Sequence, residues 1–268
     1  MDKVVTSVLG RLGVLPVPSQ RDAIRAHMHL HAVLPRLGDL ARLDDEARGI
    51  VAGMKVAIGF QVLGGPRVVL HFANGGVRAT KEGGGNVCLL FPSCAKLNAM
   101  FDGQKVTPIP LKGLHRMGDL KKLTRLTDIL TRYLKPSDAD MADAGFRAKH
   151  VELSLLVGLA ATAAIATIEP KGRRIAGHMP SGTMVYDIGG GPKAHVVIDH
   201  GDIRACAGTV DDPTTTIEIR DVDLAVALIK GQVDTFAANG AGDIRASGSL
   251  TLADEFNTLF DRVGLYLA

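Results

Sequence analysis

Tryptophan is absent from this chain of 268 residues, and aromatic residues make up only 4% of it. Its three cysteines, Cys88, Cys94 and Cys206, are an odd number without the spacing of a disulfide framework. This excludes a disulfide-stabilised secreted domain and predicts a reduced, cytoplasmic protein. The N-terminal stretch contains no long apolar run, so no signal peptide is predicted. Apolar residues still make up 46% of the sequence, enough for a substantial core.

Motifs of catalysis are missing as well. The glycine runs at 83–85 and 189–191 are not followed by the Gly-Lys-Ser/Thr of a phosphate-binding loop, and no Gly-x-Ser-x-Gly motif occurs. His27, His29 and His31 alternate, but on a helix only the first and third share a face, and no carboxylate or cysteine motif joins them. We therefore expect no enzymatic activity, no metal and no cofactor. The net charge of +3 is too small to indicate nucleic-acid binding.

The stretch from Thr214 to Phe260 has the clearest pattern in the sequence. Alternation over residues 214–219 predicts a half-buried strand. A helix is expected after the N-cap residue Asp221, with Gly231 just beyond its end. A second strand is expected at 243–247, followed by an amphipathic final helix.

This order of elements resembles the sterol carrier protein-2 (SCP2-like) lipid-binding family. The resemblance is carried by TTTIEIRDVDL, the LIKGQ turn, GDIRASG and the apolar helix that follows, and it covers residues 182–263. It implies a small sheet covered by helices on one face, with an apolar tunnel for a hydrophobic ligand. The family pattern consists of glycines and apolar positions, without a catalytic signature.

An internal repeat indicates two copies of this unit. The segment GGPRVVLHFANGGVRA at 64–79 aligns with GGPKAHVVIDHGDIRA at 190–205, and the strand at 86–91 aligns with 214–219 in the same parity. Further along, the alignment places Gly118 on Gly248. The first copy diverges where Pro108 and Pro110 occur, since proline cannot donate to a strand ladder and indicates an edge or a rigid loop.

The predicted fold class is therefore α+β, with two tandem SCP2-like units, each a small, mostly antiparallel sheet with helices on one face. The expected units are 1–136 and 147–268, joined by a polar linker. Each should begin with a helix, at 24–43 with a kink before Pro35 and at 151–168. The second of these is just long enough to span a membrane, but its polar residues favour a buried helix.

The predicted function is a soluble, non-catalytic lipid-binding or lipid-transfer protein. By resemblance, the ligand is sterol-like, isoprenoid, fatty acyl or acyl-CoA. The alternative is a structural or accessory module that mediates dimerisation or contact with a partner enzyme. The tunnel walls are expected from Ile198, Ile217, Leu224, Leu228, Phe236, Leu252, Phe256, Leu259 and Phe260 in the second copy. In the first they are expected from Phe72, Leu89, Leu97, Met100, Phe101, Leu123, Leu126 and Leu130.

Charge is distributed unevenly between the copies. Between residues 105 and 135 eight Lys/Arg residues oppose two Asp residues, whereas the matching stretch of the second copy is acidic. The positive stretch predicts transient contact with an anionic membrane surface. The residues expected to make this contact are Lys112, Arg116, Lys121, Lys122 and Arg125.

Overall fold

The computed structural model describes residues 18–267, so the N-terminal stretch considered for a signal peptide lies almost entirely outside the described residues. The first sheet consists of β1 (Val56–Val62), β2 (Arg67–Ala73), β3 (Gly76–Thr80), β4 (Val87–Phe91) and β5 (Ile109–Lys112). The second consists of β6 (Gly182–Ile188), β7 (Lys193–Asp199), β8 (Asp202–Ala207), β9 (Thr215–Ile219) and β10 (Ile244–Gly248). The sheet orders are β3-β2-β1-β4-β5 and β8-β7-β6-β9-β10.

The two sheets share their register as well as their strand order. In the first sheet Ile58 pairs in parallel with Val87, and in the second Met184 pairs in parallel with Thr215. These are the partners that the repeat alignment places on each other, and the antiparallel pairs β1–β2 and β6–β7 correspond in the same way. Three of the four strand pairings in each sheet are antiparallel. The predicted fold class is confirmed.

Helices cover one face of each sheet. In the first unit they are α1 (Gln20–Met28), α2 (Leu37–Leu43), α3 (Asp45–Ala52), α4 (Cys94–Phe101) and α5 (Met117–Leu134). A short helix, α6 (Asp138–Met141), follows. In the second unit they are α7 (Ala144–Ile168), α8 (Pro170–His178), α9 (Val222–Ile229), α10 (Thr235–Gly240) and α11 (Leu250–Leu267). A π turn at His29–Val33 and a 3₁₀ turn at Leu34–Arg36 separate α1 from α2, so the chain is irregular at the predicted kink.

Two predicted details need correction. Helix α7 begins at Ala144, before the predicted start at residue 151, because the Asp143 carboxylate accepts the Phe146 N–H at 2.5 Å and caps the helix. The counterpart of Gly248 is Gly113 rather than Gly118. Both glycines end an edge strand with positive φ, at +86° and +90°, and a Cβ on either would clash with the backbone of the neighbouring strand.

Helix α7 packs between the two units. Leu153 and Val157 lie in the first core, whereas Leu156, Leu159 and Ile165 lie in the second. It is the one helix among residues 18–267 that is long and apolar enough to cross a membrane, and 56% of its apolar window is buried inside the protein. In turn, α1 and the π turn of the first unit contribute apolar side chains to the second core. The predicted boundaries at 136 and 147 stay a prediction.

The C-terminal helix is tied to the α7–α8 junction by a buried ion pair. The Glu169 carboxylate is 4% exposed, receives two hydrogen bonds from the Arg262 guanidinium, and accepts a third from the Tyr266 hydroxyl at 2.7 Å. The hydrogen bond from Arg262 is the main cause that holds the pKa of Glu169 below its usual value. This contact joins the end of α7 to α11, two of the helices that cover the second sheet.

Removing the cation should therefore destabilise the fold. Arg262→Ala is expected to lower the free energy of unfolding by about 3–5 kcal/mol, because a buried carboxylate loses its partner. Urea denaturation measures the change, and the exposed Arg174→Ala serves as control, with an expected change within about 0.5 kcal/mol. Equal midpoints for the two variants would contradict a stabilising role for the pair.

Candidate functional site

Helix α9 is placed by local signals that follow strand β9. The Asp221 carboxylate accepts the Leu224 N–H at 2.7 Å and caps the helix, as predicted. The chain leaves the helix at Gly231, where Gln232 N–H donates to the Ala227 carbonyl at 2.9 Å. In the first unit Ser93 and Gly103 begin and end α4 in the same way. The two helices are therefore equivalent in position and differ in packing.

Helix α9 is attached to the second unit by a small contact. Ala225 and Val226 pack against Val151 of α7 and Ile188 of β6, and these four residues form a cluster separate from the main core. Helices α9 and α11 both contact α7 and β9 but hardly contact each other. The apolar residues between them, on α7 and β9, are half-buried and border both clusters. These are Leu155 and Ile219.

We define the apolar flank as four apolar side chains on α9 and α10: the buried Leu224, the half-buried Leu228, and the exposed Ile229 and Phe236. None of them belongs to a core cluster. Ile229 is 43% exposed and Phe236, on α10, is 90% exposed. The edge strand beside them is also poorly covered, since Ala246 is exposed although it pairs with the buried Ile217 on the helix-covered face.

The equivalent helix of the first unit packs against its own core. Leu97 is buried in the first core, and Met100 and Phe101 pack against that core. The Phe101 ring also stacks on the ring of His29, with 4.2 Å between centroids. The repeat alignment places Met100 on Leu228 and Phe101 on Ile229. The two units thus differ in what these positions pack against: Met100 and Phe101 pack against the first core, whereas Leu228 and Ile229 belong to no core cluster.

The predicted tunnel residues fall into three groups. Those of the first unit, including Phe72, Leu89, Leu123, Leu126 and Leu130, lie in or against the first core. In the second unit Ile198, Ile217, Leu252, Phe256 and Leu259 lie in the second core, with Phe260 packed against it. Leu224, Leu228 and Phe236 belong to the apolar flank instead. The structure thus brings most of each set together, and their role in lipid binding stays a prediction.

Two shallow grooves open over the first sheet, with volumes of about 390 and 410 Å³. Their walls come from β1, β2 and β3, with polar side chains such as His71 and Asn86. Of the predicted tunnel residues only Phe72 borders one of them. Neither groove adjoins the apolar flank.

The predicted membrane-contact residues lie on or beside α5, and their charges are not equally available. Arg125 pairs with Glu46, and Arg116 pairs with Asp119. Lys122 donates to the Gly53 carbonyl at 2.9 Å. The remaining two, Lys112 and Lys121, are exposed and form no ion pair with any residue in 18–267.

Two apolar residues beside these lysines were missed in the sequence. Leu114 is 63% exposed and Met117 is 53% exposed. Once Gly113 is aligned with Gly248, the segment 114–118 becomes an insertion present only in the first unit. This insertion changes the offset of the repeat alignment, but aligning Gly118 with Gly248 hides the change. A second insertion, between Gln232 and Ile244, contains α10 and the exposed Phe236.

The three alternating histidines lie on α1 and the π turn. The rings of His27 and His31 are 5.5 Å apart, whereas His29 is 7% exposed and stacks on Phe101. Among residues 18–267 no group of three or more metal-ligating side chains is found. Burial is the main cause that lowers the pKa of each of the three imidazoles to about 4. Protonation of these histidines at low pH is therefore a candidate cause of acid destabilisation of the folded protein.

No family model matches the sequence, and no curated protein matches it. Solved structures similar to this chain include the UbiJ-SCP2 ubiquinone synthesis protein, at 13% identity and a TM-score of 0.32, covering 41% of this chain and 90% of that one. Sterol carrier protein domain 2 of Helicoverpa armigera is 14% identical with a TM-score of 0.34, and the match covers 43% of this chain and 91% of that one. The sec-alkylsulfatase Pisa1 from Pseudomonas sp. is 14% identical with a TM-score of 0.26, and the match covers 55% of this chain and 28% of that one.

The resemblance to sterol carrier protein-2 domains that the sequence predicts is thus found among solved structures. TM-scores of this size describe a loose likeness. The fold of this chain rests instead on its own strand order and register.

Acidification should destabilise the protein through His29. Its pKa is lowered in the folded state, so the unfolded chain takes up the proton first as the pH falls. The stability that the neutral His29 contributes is fully present above pH 6.5. It is lost as the pH falls toward 4, by at most about 3 kcal/mol. Arg25 and Lys135 act in the same direction as burial, and Asp102 opposes them.

Melting temperatures measured from pH 7 to pH 4.5 test this effect. His29→Leu is expected to reduce the decrease, because one of the three titrating imidazoles is gone. His115→Leu, at an exposed position, should keep the parent's slope. An unchanged slope for His29→Leu would disprove the assignment.

Proposed function

We propose that this chain is a soluble, non-catalytic lipid-binding protein whose second unit takes the ligand beside helix α9. The observation that supports this most is the apolar flank, since Leu228 and Ile229 belong to no core cluster, whereas Met100 and Phe101 at the equivalent positions of the first unit pack against its core. Exposed apolar side chains clustered on one short segment mark an interaction site. A ligand of this surface must itself be apolar.

The ligand would enter by displacing α9 from its small contact with α7. That contact involves only four buried residues, so it opens more easily than the main core. Leu155 and Ile219 would then line the widened space, with Leu224 and Leu228 on its other side. Each CH₂ of an acyl, isoprenoid or sterol-like ligand buried there contributes about 0.8 kcal/mol before ordering costs. Long apolar chains therefore suit the site better than small polar molecules.

The first unit is proposed to serve a different purpose, docking on an anionic membrane. Leu114 and Met117 project beside Lys112 and Lys121, so apolar side chains and unpaired positive charges share one surface. Apolar residues flanked by lysine suit the boundary of an anionic bilayer. This arrangement favours transfer of lipid between the protein and membranes. The alternative, an accessory module, would use the apolar flank to hold a partner enzyme or a second copy.

Lipids extracted from the purified protein and identified by mass spectrometry test the proposed function directly. A reproducible apolar lipid, near one per chain, is the expected result. Protein purified without lipid that also fails to bind a fluorescent fatty acid would overturn it. An increase in mass of the particle on removal of lipid would favour the accessory module.

Leu228→Trp tests the position of the site. Because Leu228 is half-buried and outside the cores, the substitution should change the unfolding free energy by less than about 1 kcal/mol, while the affinity for a fluorescent fatty acid falls several-fold. The matched variant Met100→Trp should do the opposite. It overpacks a filled site, costs about 1–3 kcal/mol and leaves binding unchanged.

Denaturant melts of lipid-stripped protein, beside fatty acid titrations, measure both quantities. If Leu228→Trp lost stability like Met100→Trp and bound the fatty acid like the parent, the ligand would lie elsewhere.

Membrane docking is tested with vesicles of phosphatidylserine and phosphatidylcholine. Leu114→Ser/Met117→Ser and, separately, Lys112→Glu/Lys121→Glu should each lower co-sedimentation at least about threefold, since each lysine contributes about 1 kcal/mol near such a surface. Only the second variant should lose the salt dependence. Lys171→Glu/Arg174→Glu makes the same charge change at exposed positions of α8. Equal losses in that control would show that only net charge matters.

A further inference from the structure

Tyr186 is a polar residue at the centre of the second sheet. It lies on β6, which pairs with β7 on one side and β9 on the other. Its side chain belongs to the helix-covered core, is 6% exposed, and has its ring centroid 6.5 Å from that of Phe256 on α11. Its hydroxyl has no hydrogen-bond partner among residues 18–267.

The other two tyrosines of the chain satisfy their hydroxyls. Tyr133 donates to Asp44 at 3.0 Å, and Tyr266 donates to Glu169 at 2.7 Å. A buried hydroxyl without a partner costs about 1–3 kcal/mol, and buried tyrosines normally find one. A phenylalanine at this position would avoid that cost. The hydroxyl therefore points to a partner that the folded chain itself does not supply.

A row of side chains connects this hydroxyl to the open edge of the sheet. Tyr186 pairs with Ile217, which pairs with Ala246 on the edge strand, so all three lie on the helix-covered face. Ala246 is exposed. Two strand spacings, about 10 Å, separate the exposed edge from Tyr186.

We propose that the Tyr186 hydroxyl is the polar anchor of the lipid site, and that it donates a hydrogen bond to a neutral oxygen on the ligand, such as an alcohol, an ester carbonyl or a protonated carboxyl. The inference rests on the proposed function and adds the chemistry of the head group. The ligand places its oxygen against Tyr186 and extends its apolar chain past Ile217 toward α9.

The ligand oxygen should be neutral because its surroundings supply no cation. Among residues 18–267 the charged group that acts on the Tyr186 hydroxyl is the Asp261 carboxylate, which would repel an anion. The guanidinium of Arg262 is already engaged by Glu169. Burial of an unpaired carboxylate costs far more than burial of a hydrogen-bonded alcohol. Burial and Asp261 also raise the pKa of the Tyr186 phenol, so it keeps its proton and donates.

Tyr186→Phe removes the hydroxyl and keeps the ring. Binding is measured on the lipid-stripped protein by displacement of a fluorescent fatty acid with 1-hexadecanol, methyl palmitate and 1-hexadecene, the last having no oxygen. The variant should bind the alcohol and the ester about 3- to 10-fold more weakly, the value of one hydrogen bond. Its affinity for 1-hexadecene should match the parent's, and its melting temperature without lipid should equal or exceed the parent's.

Tyr133→Phe is the matched control. It loses a hydrogen bond to Asp44, so it should melt lower and bind all three ligands like the parent. If the parent binds none of them, the proposed function fails and the anchor fails with it. If the parent binds and Tyr186→Phe binds the alcohol equally well, the anchor alone is overturned. A lower melting temperature for lipid-free Tyr186→Phe would identify a buried water as the partner and overturn the anchor too.

Discussion

The burial of helix α7 is the constraint on which the rest of the structure depends. Its sequence is apolar almost all round, so no single sheet can cover it, and a helix of this kind must be buried on several sides. The two sheets meet this requirement together, one core receiving Leu153 and Val157 and the other Leu156, Leu159 and Ile165. The π turn after α1 packs against the same helix. Two similar units are thereby held in one unequal pair.

That inequality explains where function can reside. The first unit uses its α4 to close its own core, with Phe101 stacked on His29 from the irregular first helix. The second unit uses the equivalent α9 to contact α7, through the buried Ala225 and Val226 and an ion pair between Asp223 and Arg147. The side chains of the apolar flank take no part in that buried cluster. Each insertion, at 114–118 in the first unit and around α10 in the second, adds exposed apolar side chains near one end of its sheet.

Several elements could be predicted from the sequence because their causes are local. The alternation at 215–219, the Asp221 cap and the glycine after α9 each depend on neighbours within a few residues, and all were found as expected. The repeat added the register of the sheets, since matched strands keep matched parity. The counterpart of Gly248 was misassigned because it is defined by a contact with the neighbouring strand. Gly113 and Gly118 look alike in sequence, and only one of them meets that strand.

The sequence by itself determined two α+β units, their strands and the apolar positions of each, because period, parity and capping are properties of short segments. It could not tell a core residue from a residue of the apolar flank. Leu228 and Met100 occupy the same place in the repeat, and both fit the same amphipathic pattern. Only the tertiary structure decided that Met100 packs against a core cluster and Leu228 does not, because such contacts depend on which distant helix lies beside each residue. The unpartnered hydroxyl of Tyr186 also could not be predicted from the sequence, because whether a hydroxyl finds a hydrogen-bond partner depends on all of its neighbours in the folded chain.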